Sequence, residues 1–189
     1  MFKFTSTKIA DVIVVEPQVF GDDRGFFMET YSKKEFENAG IDVEFVQDNH
    51  SKSKKGVFRG FHFQTQNTQS KLVRVVSGSV LDFAIDLRKD SVTYGEYIVE
   101  ELSASNKKQL FVPQGFAHGF LTLEDNTEFV YKCDDYYSPE FDGGIIYSDP
   151  RLNIDFEAIK KKYDISELSF SEKDKNHPSI DEFFSNNPF

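Results

Sequence analysis

The sequence predicts an all-β fold, a sandwich or barrel with short peripheral α-helices. From Asp11 to about Ile146 the chain consists of short segments rich in β-branched and aromatic residues, separated by turn residues at the spacing typical of such folds. The 189 residues include 21 Phe and 8 Tyr, whose rings each bury a large apolar area and can close a compact core. We therefore expect one domain over residues 1–189, a length that a single core usually serves.

One predicted strand shows the expected alternation clearly. Between residues 80 and 87, Leu81 and Phe83 point to one face, whereas Asp82 and Asp86 point to the other. The same pattern and the turn residues between segments predict further strands. In chain order, the predicted strands are Val12–Val15, Gly25–Tyr31, Val43–Gln47, Val57–Gln64, Leu72–Val76, Val80–Leu87, Tyr97–Leu102, Gln109–Val112, Gly119–Leu123 and Glu128–Lys132.

Two helices are predicted outside the strands. Ser32 and Glu35 form a capping-box pattern, which predicts a short helix over residues 33–39. Asp155 can cap a second helix over residues 156–163, in which Phe156, Ile159 and Tyr163 share one face. The polar, Pro-containing sequence after residue 174 predicts an irregular tail.

Charge and composition exclude several classes of protein. A net charge of −10 argues against general nucleic-acid binding, which needs a basic surface. Neither a signal peptide nor an apolar stretch of about 18 residues is found, so we expect no membrane association and a cytoplasmic protein. The single Cys133 cannot form an internal disulfide. Arg is scarce, and Arg suits bidentate capture of phosphate, although a surface ion pair is the commoner role of any one Arg.

Two of the four histidines lie in motif-like surroundings. The segments 56–64 and 113–118, which contain His62 and His118, resemble the two half-motifs of the cupin superfamily. Gln64 stands where cupins have a second His, and no Glu follows, so the two histidines have no obvious anionic partner and a metal ion is disfavoured. Taken singly, either histidine could be an ordinary core residue.

The strand containing His62 raises a question of geometry. In a regular strand, His62 and Arg59 point to opposite faces. Gly60, between them, could mark a β-bulge that brings both side chains to one face, or Arg59 could serve another face or another subunit.

A series of motifs over nearly the whole chain resembles the dTDP-4-dehydrorhamnose 3,5-epimerases, a family within the cupin superfamily. The motifs come in the family's order: Phe20–Glu29, Phe45–Asn49, Arg59–Gln64, Lys71–Arg74, Val112–Phe120, Tyr131–Lys132 and Ser171–Asp174. The resemblance implies a double-stranded β-helix, or jelly roll, that works as a homodimer. It also implies a nucleotide-linked 4-keto-6-deoxyhexose as substrate, inverted at C3 and C5 through an enolate in dTDP-L-rhamnose biosynthesis, with no cofactor.

The resemblance also implies roles for four residues. His62 matches the family's general base, Asp174 the carboxylate that orients its imidazole, Lys71 the cation that meets the enolate, and Tyr131 the acid on the opposite face of the sugar. Without the family, Asp174 and Lys71 would be interpreted as surface charges and Tyr131 as sheet packing. The residues that match substrate-binding positions are Arg24, Glu29, Gln47, Asn49, Arg59, His118, Asp142 and Lys173.

Several alternatives remain open from the sequence. Base stacking on the nucleotide has Phe20, Phe26 and Tyr137 as candidates. A related enzyme could invert C3 alone or act on another nucleotide-linked ketosugar. More remote alternatives are a metal-dependent cupin enzyme and a nucleotide-sugar-binding module without catalysis.

Overall fold

The computed structural model describes residues 1–185, and its architecture is two β-sheets packed face to face with short helices outside them. The strands in this part of the chain are β1 (Phe2–Ser6), β2 (Ile13–Pro17), β3 (Val19–Asp22), β4 (Gly25–Met28), β5 (Gln47–Ser53), β6 (Phe58–Gln64), β7 (Lys71–Ser77), β8 (Ser79–Asp86), β9 (Tyr97–Ser103), β10 (Gln109–Val112), β11 (Phe116–Thr122), β12 (Thr127–Cys133) and β13 (Asp142–Gly144). The helices are α1 (Lys33–Asn38), α2 (Phe156–Tyr163), α3 (Glu172–Lys175) and α4 (Ile180–Phe184), with a 3-10 turn at Pro139–Phe141. The predicted all-β jelly roll is confirmed.

The two sheets differ in the number and the order of their strands. The six-stranded sheet has the order β1-β2-β10-β7-β12-β5, and the five-stranded sheet has the order β13-β6-β11-β8-β9. Strands β3 and β4 form a separate hairpin. Among the described residues, no helix is long and apolar enough to cross a membrane.

The core has one layer between the sheets and another outside the five-stranded sheet. Val73 and Leu110 of the six-stranded sheet pack with Val80 and Phe120 of the five-stranded sheet. The opposite face of β8 packs on a second cluster that is covered by α2. Strand β8 is therefore buried on both faces, and its polar positions point into the protein interior instead of into solvent.

A β-bulge in β6 explains how the side chains of Arg59 and His62 reach the same cavity. His62 pairs with His118 on β11, but Arg59 pairs with Phe120, so two residues of β6 oppose one of β11. Gly60 has a φ of +135°, and a Cβ there would lie 2.6 Å from the Cα of Gly119, so only glycine fits. The bulge turns Arg59 toward the cavity that His62 lines.

Several predicted elements differ from the structure. The segment 43–46 is not a strand, because Val43 and Phe45 pack against the cluster around α1, and the ladder with β12 starts only at Gln47. The N-cap residue Ser32 makes no side-chain capping bond. The prediction of an irregular tail after residue 174 is wrong for α4, which forms there, and the end of the tail, 186–189, lies outside the described residues. Helices α3 and α4 each begin after a Ser side chain that accepts a bond from a backbone N–H three residues on.

Candidate active site

A cavity of about 260 Å³ lies where strands of both sheets meet. The five-stranded sheet contributes one wall from β6, β11 and β13, and the six-stranded sheet contributes the other from β5, β7 and β12. Six of the sequence-predicted site residues line it: Arg59, His62, Lys71, His118, Tyr131 and Asp142.

His62 is held by a carboxylate from the C-terminal part of the chain. Its Nε2 lies 2.6 Å from Oδ1 of Asp174, which α3 carries and whose backbone N–H is capped by Ser171. The His62 side chain is 37% exposed, whereas that of Asp174 is 4% exposed. Burial opposes ionisation of Asp174, but the imidazoles of His177 and His62 outweigh it and hold the pKa of this carboxyl well below its usual range.

A second imidazole–carboxylate pair lies deeper on the same wall. Nε2 of His118 lies 2.9 and 3.0 Å from the two carboxylate oxygens of Asp82 on β8. Burial raises the pKa of Asp82, although His118 and Lys71 act in the opposite direction. The local motifs give neither histidine an anionic partner, but the fold brings carboxylates from distant positions in the sequence: Asp174, which the family resemblance implies for His62, and Asp82 for His118, which was not predicted.

Lys71 and Tyr131 lie on the opposite wall, on β7 and β12. Burial lowers the pKa of Lys71, and it raises the pKa of Tyr131 to about 12. Within residues 1–185, neither the Lys71 Nζ nor the Tyr131 hydroxyl has a side-chain hydrogen bond or ion pair. Both groups are thus available to a ligand in the cavity.

Charged and polar groups surround the mouth of the cavity. The Tyr137 hydroxyl donates to Oδ2 of Asp142 at 2.8 Å, and Lys173 forms an ion pair with the same oxygen. These two contacts outweigh burial and lower the pKa of Asp142. The Arg59 guanidinium donates through Nε to the Ser53 hydroxyl at 3.2 Å and is otherwise exposed. Arg59 and Lys173 thus place two cationic side chains at the entrance to the cavity.

Four other predicted binding residues do not line the cavity. Gln47 accepts from the backbone N–H of Tyr137 at 3.0 Å, which places it just behind the mouth. Asn49 lines a second cavity of about 320 Å³ along β12, and Tyr131 lines both cavities. Arg24 and Glu29 lie in and beside the β3–β4 hairpin, where Arg24 pairs with Asp22 and Glu29 lies 3.5 Å from the chain's amino terminus. Within one chain, the structure does not bring Arg24 and Glu29 to His62.

Sequence reasoning missed two residues beside the cavity, Asp82 and His177. Asp82 carried a signal, since it is a polar residue inside a strongly apolar strand. His177 follows Asp174 by three residues, just beyond the end of α3, and its ring centroid lies 5.7 Å from that of His62. Ligand atoms of His62, Asp174 and His177 lie within 4.8 Å of one another, so these three residues could hold a metal ion.

The geometry supports proton transfer at two faces of one ligand. Since the carboxylate of Asp174 can only accept, Nε2 of His62 donates to it, and in the neutral imidazole Nδ1 is then the nitrogen with a lone pair. Tyr131 remains protonated at neutral pH because its pKa is raised. An imidazole on one sheet thus faces a phenol on the other across the cavity, and a lysine lies on the strand next to that of the phenol.

Comparisons with known proteins identify the family of the chain. The family model described as dTDP-4-dehydrorhamnose 3,5-epimerase matches residues 6–182. The chain is 50% identical over 179 residues to the dTDP-4-dehydrorhamnose 3,5-epimerase of Salmonella typhimurium, covering 93% of this chain and 94% of the relative.

Solved structures give the same result at the level of the fold. The 3,5-epimerase of Legionella pneumophila in complex with dTDP-4-keto-L-rhamnose superposes with a TM-score of 0.89 and 42% identity, covering 96% of this chain and 94% of that one. A 3'-monoepimerase from Streptomyces bikiniensis in complex with dTDP-quinovose gives a TM-score of 0.88 at 27% identity, covering 97% and 91%.

Proposed function

The chain belongs to the dTDP-4-dehydrorhamnose 3,5-epimerase family, and from this premise we propose that its cavity inverts C3 and C5 of a dTDP-linked 4-keto-6-deoxyhexose. The reaction is a step of dTDP-L-rhamnose biosynthesis. The observation that carries the proposal is that the two walls of the cavity come from different sheets. His62 comes from the five-stranded sheet and Tyr131 from the six-stranded sheet, so a sugar ring between them has a base at one face and an acid at the other.

The mechanism begins with the protons at C3 and C5, which are acidic because both carbons are α to the C4 ketone. His62 removes a proton through Nδ1 while Asp174 holds its Nε2–H, which fixes the tautomer and stabilises the imidazolium that forms. Lys71 stabilises the negative charge that develops on O4. Tyr131 then donates its proton from the opposite face, and the carbon is inverted.

Binding of the nucleotide diphosphate is assigned to the cationic mouth. Arg59 offers a planar fork suited to bidentate contact with a phosphate, and Lys173 adds a second cation held by Asp142. His118 and Gln47 are proposed to contact the sugar or nucleotide from the cavity floor and mouth. Tyr137, exposed beside Asp142, is the candidate for base stacking within the same chain.

We further propose a cytoplasmic homodimer in which the β3–β4 hairpin reaches a second copy. The hairpin exposes Phe20, Phe26 and Phe27 by 54%, 59% and 69%, an apolar surface that a second copy would cover. Arg24 and Glu29, which do not reach His62 in their own chain, would then serve the site of the other copy. Neither a cofactor nor a metal ion takes part in the proposed reaction.

A 3-epimerase is the second candidate, favoured by the similarity to the 3'-monoepimerase of Streptomyces bikiniensis. Incubation of the protein with dTDP-4-keto-6-deoxyglucose in deuterated water separates the candidates by NMR. Deuterium at C3 and C5 with inversion at both carbons supports the 3,5-epimerase. Exchange and inversion at C3 alone would assign the 3-epimerase, and no exchange at either carbon would contradict both.

A further inference from the structure

We propose that His62, Asp174 and His177 form a binding site for a divalent transition-metal ion such as Zn²⁺, and that occupancy of this site inhibits the epimerase. The ion is not a cofactor in this proposal. It competes with catalysis for the imidazole of His62, so the inhibitory half of the proposal rests on the proposed role of His62.

The first observation is a buried imidazole nitrogen that has no hydrogen bond and approaches Asp174 only at ion-pair distance. The His177 side chain is 7% exposed, and its Nε2 is buried with no hydrogen-bond partner anywhere in residues 1–185. This atom points at Oδ1 of Asp174 from 3.6 Å, too far for a good hydrogen bond. A buried polar atom without a partner costs free energy, and an ion at this position would satisfy it.

The second observation is the space that glycine leaves for this ring. Gly144 on β13 pairs with His62 across the ladder, and the space where its Cβ would stand is occupied by the His177 imidazole. Any side chain at residue 144 would push His177 away from Asp174. The strand next to His62 therefore admits a second imidazole beside the pair.

The third observation is the chemistry and spacing of the ligand set. Two imidazoles and one carboxylate suit Zn²⁺, which binds nitrogen and oxygen at about 2.0–2.2 Å. The oxygen of Asp174 lies 2.6 Å from Nε2 of His62 and 3.6 Å from Nε2 of His177, and all three atoms lie within 4.8 Å of one another. Small side-chain rotations suffice to place them around one ion, and the exposed edge of His62 opens the site to the cavity.

Inhibition follows from the tautomer of His62. A metal ion on Nε2 displaces the proton that Asp174 holds, and a neutral imidazole coordinated at Nε2 carries its proton on Nδ1. The proton from Nε2 moves to Nδ1, directly or through solvent, so that the imidazole stays neutral. Nε2 is then occupied by the metal ion, the bond to Asp174 is lost, and the protonated Nδ1 has no lone pair left to abstract a proton from the sugar.

The test is isothermal titration of the chelator-treated full-length protein with Zn²⁺, together with deuterium-exchange activity at increasing Zn²⁺. We expect one site in the wild type and at least about tenfold weaker binding in His177→Ala, since loss of even an indirect partner of a metal site costs about 10- to 100-fold. The control is His50→Ala, which removes an exposed histidine paired with Glu128 and should leave the site intact. Gly144→Ala displaces the His177 ring and gives an independent second variant.

Each result decides the proposal. Binding and chelator-reversible inhibition that both weaken in His177→Ala and Gly144→Ala, but not in His50→Ala, support it. Absence of binding in the wild type, or binding unchanged in His177→Ala and Gly144→Ala, overturns it. His177-dependent binding without inhibition supports the metal site, overturns the inhibition, and counts against His62 as the base.

Discussion

The two walls of the cavity hold their reactive groups in opposite ways. On the five-stranded wall, Nε2 of His62 and Nε2 of His118 each form a hydrogen bond with a buried carboxylate, at 2.6 Å and 2.9 Å. On the six-stranded wall, Lys71 and Tyr131 have no such side-chain partner in the described part of the chain, and burial dominates their pKa values. One wall is fixed by imidazole–carboxylate hydrogen bonds, and the other presents donors without a side-chain partner.

This difference suits two tasks in proton transfer. A base needs a fixed tautomer and a nearby charge that stabilises its protonated form, which a carboxylate supplies. A group that meets developing charge on the substrate is most effective when no protein group already occupies it, because its hydrogen bond then strengthens as charge develops. We therefore expect substitutions on either wall to lower the rate strongly, but to affect deuterium exchange and inversion differently.

The largest effect is expected on the five-stranded wall, from His62→Ala. Loss of the general base should lower deuterium exchange at both C3 and C5 by about 10² to 10⁴. NMR in deuterated water measures it, with His50→Ala as the matched control because His50 is exposed and lies outside the cavity. Exchange near the wild-type rate would remove His62 from this role.

On the six-stranded wall, Lys71→Gln should lower kcat by about 10² to 10³, the usual cost of losing one donor to an oxyanion. The wild-type rate should also fall as pH rises through a value below the ordinary range of lysine, because burial lowers the pKa of Lys71 and the cation is lost there. A pH–rate series checks both effects, with the exposed Lys52→Gln as control. An unchanged kcat would return Lys71 to a structural role.

Asp174→Asn is expected to lower kcat by about 10- to 100-fold, since the orienting oxygen remains but its charge is lost. Binding of dTDP, measured by calorimetry, should stay at the wild-type level because Asp174 is buried behind His62. Glu172→Gln, on the exposed side of α3, is the control. A main effect on KM would argue against the pairing of Asp174 with the base.

The smallest effect is expected at the mouth, from Arg59→Lys. An ammonium cannot reproduce a two-bond fork on a diphosphate, and one lost charged hydrogen bond of about 1.5 kcal/mol weakens dTDP binding by about tenfold. Calorimetry with dTDP measures this without turnover, and Arg151→Lys, whose partner is Asp181, controls for the substitution itself. If Arg59→Lys and the wild type bind dTDP equally well, Arg59 serves packing or a surface contact and not the diphosphate.

The sequence predicted the strands and helices best where local signals are strong. Strand β10 and helix α2 match their predicted bounds, since alternation and an Asp155 cap mark them. Strand β5 was displaced because the paired segment is polar and the apolar residues before it pack elsewhere. Helices α3 and α4 were not predicted, although Ser171 and Ser179 each stand three positions before an acidic residue, which is a helix-start signal.

The site residues likewise fall into those that the sequence predicts and those whose partners depend on long-range contacts. The resemblance to the family predicted the lining residues from both walls, which no local pattern could have joined. The carboxylate partners depend on long-range contacts: Asp174 lies 112 residues after His62, and Asp82 lies 36 residues before His118. His177 escaped prediction because its place beside Asp174 depends on the absent side chain of Gly144, which lies on β13.

The central claim is that base and acid act from opposite walls, and Tyr131→Phe in deuterated water tests it most directly. His62, Asp174 and Lys71 remain intact in this variant, so the enolate still forms and His62 returns a deuteron to the face it took the proton from. We predict that exchange at C3 and C5 persists while inversion falls, with the exposed Tyr136→Phe unchanged. Inversion at the wild-type rate, or parallel loss of exchange and inversion, would contradict an acid on the six-stranded wall.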